Sequence, residues 1–161
     1  MSSEQNSPHR PRIVVIDDDD SILRLMGKML QHEGYDVYLT TDGAKGVANI
    51  QKMGADVVIL DLNMPRTSGF EVLEALKASS STAHIPIIVT TATYQSVDNA
   101  DYGLSIGASE YMVKPVMRAA LLHAVKRNLK PVDTGLDDFD EPTLEVVQQL
   151  TSSMSSSEAH C

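Results

Sequence analysis

Residues 56–69 read DVVILDLNMPRTSG: an apolar run from Val57 to Leu60 stops at Asp61 and gives way to a loop punctuated by Pro65 and Gly69. A continuous aliphatic, β-branched run bounded by turn formers is the pattern of a strand buried on both faces. The pattern recurs upstream, where RIVVI (12–16) ends at Asp17 and Asp18. Downstream, IPIIV (85–89) ends at Thr90 and Thr91, and YMV (111–113) ends at Lys114. YDVYL from Tyr35 supplies a fifth candidate strand.

Between these runs lie stretches of helical period. Ile22, Leu25, Met26, Met29 and Leu30 fall at i, i+3, i+4, i+7 and i+8, one apolar stripe stopping before Gly34, a C′ glycine by position. Fainter copies follow at Val47 and Ile50, at Val72, Leu73 and Leu76, and at Leu122, Val125 and Leu129. YQSVDNADYGLSIG (94–107) carries only Val97, Leu104 and Ile106 among polar residues and Gly, so its helix is expected to be the least stable. Strands alternating with helices in this way predict an α/β fold built on a parallel sheet.

The 161 residues suit one domain and a tail. The boundaries read as a flexible segment 1–11, a domain 12–130 and a mostly disordered tail 131–161. The charge supports that division. Of the net −9, residues 1–130 account for −2, because they hold all 13 basic residues and 15 of the 22 acidic ones. Leu144, Val147 and Leu150 in the tail line one face of a brief helix opened by Pro142, too short to stand alone in water. A body without a basic patch, followed by an acidic tail, opposes phosphate-backbone contact, so nucleic-acid binding is not expected. The tail is also too small and polar for a DNA-binding output domain. No apolar run reaches the roughly 18 residues of a membrane span, and MSSEQNSPHRPR (1–12) holds no apolar signal segment. The single cysteine, Cys161, allows no disulfide framework, and the five histidines show no ligand spacing. The expectation is a reduced, cytoplasmic protein that does not bind membranes.

In an open parallel sheet, ligands bind outside the carboxyl ends of the strands. The strand ends here deliver Asp17, Asp18, Asp61, a threonine hydroxyl and Lys114 to one edge. Three carboxylates close together resist ionising in company unless a cation offsets them. One lysine leaves an excess of two negative charges, which matches a divalent ion held by hard oxygen ligands, and Mg²⁺ is the natural choice. With Mg²⁺, Lys114 and a hydroxyl around it, Asp61 is placed to take a phosphoryl group. Asp19 and Asp20 read as solvated surface, one of them capping the first helix.

VVIDDDDSIL, VVILDLNMPRTSGFEVL, IPIIVTTA and ASEYMVKP, in this order and spacing over residues 12–130, resemble the receiver domains of two-component response regulators. The resemblance implies a flavodoxin-like, doubly wound (βα)5 fold with strand order 2-1-3-4-5. It implies that Asp61, in a D-x-x-M-P-x-x-x-G setting with Met64, Pro65 and Gly69, is the phosphoacceptor. By the same resemblance, Asp17, Asp18, Asp61 and the backbone carbonyl of Asn63 hold Mg²⁺, while Thr91 and Lys114 bind phosphoryl oxygens. Lys114–Pro115 is then a cis peptide, Tyr111 a switch aromatic, and Thr90 ordinary strand packing. Asn63 and Thr93 occupy the positions that tune hydrolysis in the family. Val116 stands where a Phe often follows Lys-Pro.

The implied function is a phosphorylation-activated, stand-alone receiver of the chemotaxis type, not an enzyme beyond its own phosphorylation and dephosphorylation. A sensor histidine kinase or a histidine phosphotransfer protein would load it. The face formed by the fourth helix, fifth strand and fifth helix would engage an effector protein, from a monomer or a phosphorylation-dependent dimer. Two alternatives differ in class. A haloacid-dehalogenase-like phosphohydrolase would begin from Asp17 and Asp19, but it wants an acidic pair ending a later strand and leaves Asp61 unexplained. The other is a protein-binding module independent of phosphorylation. A flavodoxin fails on charge, since four aspartates after the first strand would repel the cofactor phosphate.

Overall fold

The computed structural model of the chain describes residues 9–92 and 97–129. The expectations for the tail, its short helix and Thr93 lie outside these residues. Strands and helices alternate: β1 Arg12–Ile16, α1 Asp20–His32, β2 Asp36–Thr40, α2 Gly43–Met53, β3 Val57–Asp61, α3 Gly69–Ala78, β4 Ile87–Thr91, α4 Val97–Ser105, β5 Glu110–Val113 and α5 Arg118–Asn128. All strand pairs are parallel, in the order β2-β1-β3-β4-β5. The doubly wound α/β fold read from the sequence is the fold observed.

The run-type strands behave as their composition demands. Every residue of β3 and β4 is buried, as are the last four of β1, whereas the edge strands β2 and β5 are mostly half-exposed. Alternation along each strand divides the core into two layers. Val14, Ile16, Val58, Leu60, Ile87 and Val89 pack toward α3. Ile13, Val15, Val57, Ile59 and Ile88 pack toward α1 and α5. Each fully buried Val, Ile or Leu is worth about 1.5–3 kcal/mol relative to exposure, so an aliphatic core needs no disulfide or metal to hold it.

Helix ends follow local chemistry. Asp19 caps α1, its carboxylate accepting from Ser21 N (2.8 Å) and Ile22 N (3.3 Å), and Asp42 caps α2 in the same way through Ala44 N and Lys45 N. Gly34, at φ +91°, ends α1 in the left-handed region, with its N–H on Gln31 O.

Two helix faces differ from the sequence reading. The expected α1 stripe included Leu25, which is 54% exposed, whereas Leu23, Met26, Gly27 and Leu30 are buried. Gly27, which reads as a gap in an apolar pattern, packs closely against β2: a Cβ there would lie 2.7 Å from Leu39 Cδ1. The helix therefore turns toward β2, and Ile22, Leu25 and Met29 line a groove of about 360 Å³ with Pro115 and Val116. On α5 the buried residues are Leu121, Ala124 and Val125, while Leu122 and Leu129 are only partly buried.

Candidate functional site

The strand order reverses between β1 and β3, so the loops after these strands part and open a crevice at the carboxyl edge of the sheet. Asp17 follows β1 and Asp61 ends β3, one on each side of that point. By strand alternation both side chains lie in the layer shared with Val15 and Ile59, and both residues are buried, at 1% and 2% exposure.

The two carboxylates are held alike. Asp17 Oδ1 accepts from Asp19 N at 2.9 Å, and Asp61 Oδ1 accepts from Asn63 N at 3.0 Å. Their other oxygens share one cation. Lys114 Nζ lies 2.8 Å from Asp17 Oδ2 and 3.2 Å from Asp61 Oδ2. Asp18 completes the cluster from an exposed position, one carboxylate oxygen from each of Asp17, Asp18 and Asp61 falling within 4.8 Å of the others. Lys114 reaches the site because β5 ends at Val113 and its own N–H donates to Thr91 O at 2.8 Å. The Lys114–Pro115 peptide is cis, as the resemblance implied.

Electrostatics reflect the crowding. Burial pushes the Asp17 carboxyl above the ordinary carboxylate range, and the Asp61 charge adds to this, against the opposing Lys114 ammonium and Asp19 N–H. Burial works against the Lys114 ammonium too, but Asp17 and Asp61 outweigh it and hold the group above its ordinary value. Three carboxylates and one ammonium leave an excess of negative charge in a partly dry crevice, an arrangement that suits a hard cation.

Thr91 is buried at the last position of β4, and Tyr111, 40% exposed, stands on β5. The structure thus brings Lys114 into contact with Asp17 and Asp61, sets Asp18 beside the two carboxylates, and ties Asn63 in through its N–H. It sets Thr91 beside them at the strand end and leaves Tyr111 on the surface of the edge strand.

The family model for the response regulator receiver domain matches residues 13–126. The chain belongs to the response regulator receiver family. Among its relatives, the DNA-binding dual master transcriptional regulator RpaA of Synechocystis is 37% identical over 123 residues, covering 76% of this chain and 51% of that one. The transcriptional regulatory protein PrrA of Mycobacterium leprae is 37% identical over 120 residues, covering 74% and 50%. This receiver spans about half the length of these curated relatives. Among solved structures, the chemotaxis protein CheY4 of Vibrio cholerae matches with a TM-score of 0.71 at 33% identity, over 75% of this chain and 100% of that one. A CheY-like receiver domain from Methanospirillum hungatei matches with a TM-score of 0.67 at 31% identity, over 74% and 93%.

Receiver domains are signalling modules that bind Mg²⁺ at an acidic pocket, and the donor set of this receiver fits that ion: clustered carboxylate oxygens, two of them on buried residues, with too little cationic charge to balance them. The phosphohydrolase alternative is overturned by the family match and by Asp19, whose carboxylate caps α1. Among the described residues, no helix is long and apolar enough to cross a membrane.

Two features of this receiver escaped the sequence reading. One is a cavity of about 590 Å³ beside Asp18, walled by Thr41, Asp42, Met64, Arg66 and Thr67. No spacing signal marks it, because its walls come from three separate loops. The other is Thr90, whose hydroxyl is buried and has no hydrogen-bond partner among the described residues.

Proposed function

We propose that this receiver accepts a phosphoryl group on Asp61 from a phosphohistidine of a sensor kinase or phosphotransfer protein and passes the signal on by protein contact. The observation that carries the reading is Lys114 Nζ placed between Asp17 and Asp61 at 2.8 and 3.2 Å, inside the three-carboxylate cluster. In the transfer, one Asp61 oxygen forms the bond to phosphorus as the donor P–N bond breaks, its electron pair remaining on the imidazole nitrogen. Asp17, Asp18, Asp61 and the Asn63 carbonyl would hold Mg²⁺, which when bound neutralises charge on the phosphoryl oxygens. Asn63 N–H and Lys114 orient the Asp61 carboxylate for attack, and Lys114 and the Thr91 hydroxyl then bind phosphoryl oxygens.

Output is assigned to the face of α4, β5 and α5. Tyr111 and the 69%-exposed Met117 line a groove of about 520 Å³ there, with His123 and Arg127. Tyr111 is the proposed switch aromatic, which follows Thr91 when the phosphoryl group arrives and biases a two-state surface toward an effector protein. We place this module in the cytoplasm, where such kinases present their phosphohistidine, and assign no nucleic-acid contact to residues 12–130.

The test is incubation with Mg²⁺ and acetyl phosphate, read by intact mass. The native chain gains about 80 Da, the mass of one phosphoryl group, only with Mg²⁺, and Asp61→Asn gains nothing. An unlabelled native chain, under conditions that label another receiver, overturns the reading in favour of a binding module independent of phosphorylation.

A further inference from the structure

Thr90 pairs directly with Asp61 across the parallel β3–β4 ladder and with Met112 on the other side. Residues paired in this way project to the same face with their backbones under about 5 Å apart. Ile59 and Ile88, one alternation earlier, share the α1/α5 layer, so the Thr90 side chain lies in the same layer as Asp61 and next to it. The residue is 1% exposed, and its Oγ1 has no partner among the described residues. Arg12 Nε is also unpaired, but that guanidinium is held through Nη2 on Asn49; Thr90 has only the one polar side-chain atom.

Valine has the same shape and would fill this position without a buried hydroxyl, since an unpaired one costs stability and a paired one does not. At rest Asp61 has no need of it: Oδ1 takes the Asn63 N–H and Oδ2 faces Lys114. Phosphorylation changes that balance. One Asp61 oxygen becomes the bridging oxygen to phosphorus, the carboxylate charge moves out onto the phosphoryl group, and the ion pair with Lys114 can no longer hold the side chain as before. The nearest neighbour in the ladder with a spare donor is Thr90.

We propose that Thr90 is a positioning residue for the phosphorylated state: its hydroxyl, unpaired at rest, donates to an oxygen of the aspartyl phosphate and holds that side chain in place. The proposal rests on Asp61 being the phosphoacceptor. It makes Thr90 a residue whose interaction exists in one state only, so removing the hydroxyl stabilises the resting protein and weakens the phosphorylated one.

The experiment compares the native chain, Thr90→Val and Thr90→Ser in thermal melts and in titrations with beryllofluoride and Mg²⁺, beryllofluoride adding to a carboxylate oxygen as a phosphoryl group does. Thr90→Val is expected to melt higher than the native chain without ligand and to bind beryllofluoride about five- to tenfold more weakly, the value of one hydrogen bond. Thr90→Ser, which keeps the hydroxyl, is expected to bind as the native chain does. Native affinity in Thr90→Val overturns the proposal, and so does a lower melting temperature, which would reveal a resting partner. Equal weakening in both variants also overturns it, by assigning the effect to the lost shape. If the native chain fails to bind beryllofluoride while a different receiver binds it, the phosphoacceptor reading itself is at fault.

Discussion

At the amino end of the sheet, Arg12 opens β1 with its N–H on Asp56 Oδ2 at 2.7 Å and its guanidinium on Asn49 Oδ1 at 2.9 Å, while Lys77 donates to the carbonyls of Ala83 and Ile85 at 3.0 and 2.9 Å. At the carboxyl end, a single lysine faces two buried carboxylates with a third beside them. Both ends bring cations under partial cover, but the amino end gives each of them its own acceptors, and the carboxyl end assembles more negative charge than its one lysine offsets. The first arrangement ties neighbouring elements together. The second keeps an excess of negative charge that only a further cation would offset, which is how a candidate site differs from a structural contact on the same scaffold.

The comparison can be broken most forcefully at Gly69, which starts α3 against the carboxyl edge. A Cβ there would sit 2.2 Å from Asp61 O and 2.5 Å from Leu62 Cα, backbone atoms that cannot rotate away. Gly69→Ala is therefore expected to cost about 3 kcal/mol or more in urea unfolding and to lower phosphorylation of whatever remains folded. A cost under about 1 kcal/mol would show that the loop after β3 yields easily.

Next in size is the lysine itself. Lys114→Met leaves Asp17 and Asp61 facing each other without a cation and is expected to cost about 3 kcal/mol in Mg²⁺-free neutral buffer. The matching change at the amino end, Arg12→Met, removes a hydrogen bond to a neutral partner and should cost about 1 kcal/mol. Equal costs would erase the distinction between the two ends.

Mg²⁺ sharpens it. At a hundredfold excess over its dissociation constant the ion should stabilise the native chain by about 2.7 kcal/mol, measured as a raised melting temperature. Asp17→Asn should lose most of that gain, while Arg12→Met should keep it.

The smallest effect belongs to Lys77, whose ammonium is held below the ordinary lysine value of 10.5 by burial. Between that lowered value and 10.5 the unfolded chain holds the proton more tightly than the folded one, so the folded state gains as pH rises through the window. The stability difference between the native chain and Lys77→Met should accordingly shift in favour of the native chain as pH climbs from 7 toward 10.5. A flat difference would mean that burial leaves this lysine unperturbed.

Much of this was legible beforehand in particular residues. The runs ending at Asp17, Asp61 and Lys114 announced both the buried parallel strands and the edge where their polar ends meet, because continuous aliphatic runs have few other uses in a chain of this size. A cap at Asp19 or Asp20, and a helix stop at Gly34, could be read from local chemistry alone; the structure gives the cap to Asp19. Leu25 was misplaced because the orientation of α1 depends on where Leu39 of β2 fits against Gly27, a contact between elements that helical period cannot register. The fit of Gly69 against Asp61 and Leu62 is of the same kind.

The order of residues along the chain was enough to determine the fold class, the strand ends and the charge types delivered to one edge, since periodicity and turn chemistry are local properties. Only the tertiary structure decided which oxygens Lys114 bridges, that Asp17 is buried while its neighbour Asp18 is exposed, and that Thr90 pairs with Asp61 in the ladder with its hydroxyl unpaired among the described residues. Those are relations across strands far apart in sequence, set by register and packing, and no single stretch of the chain contains them.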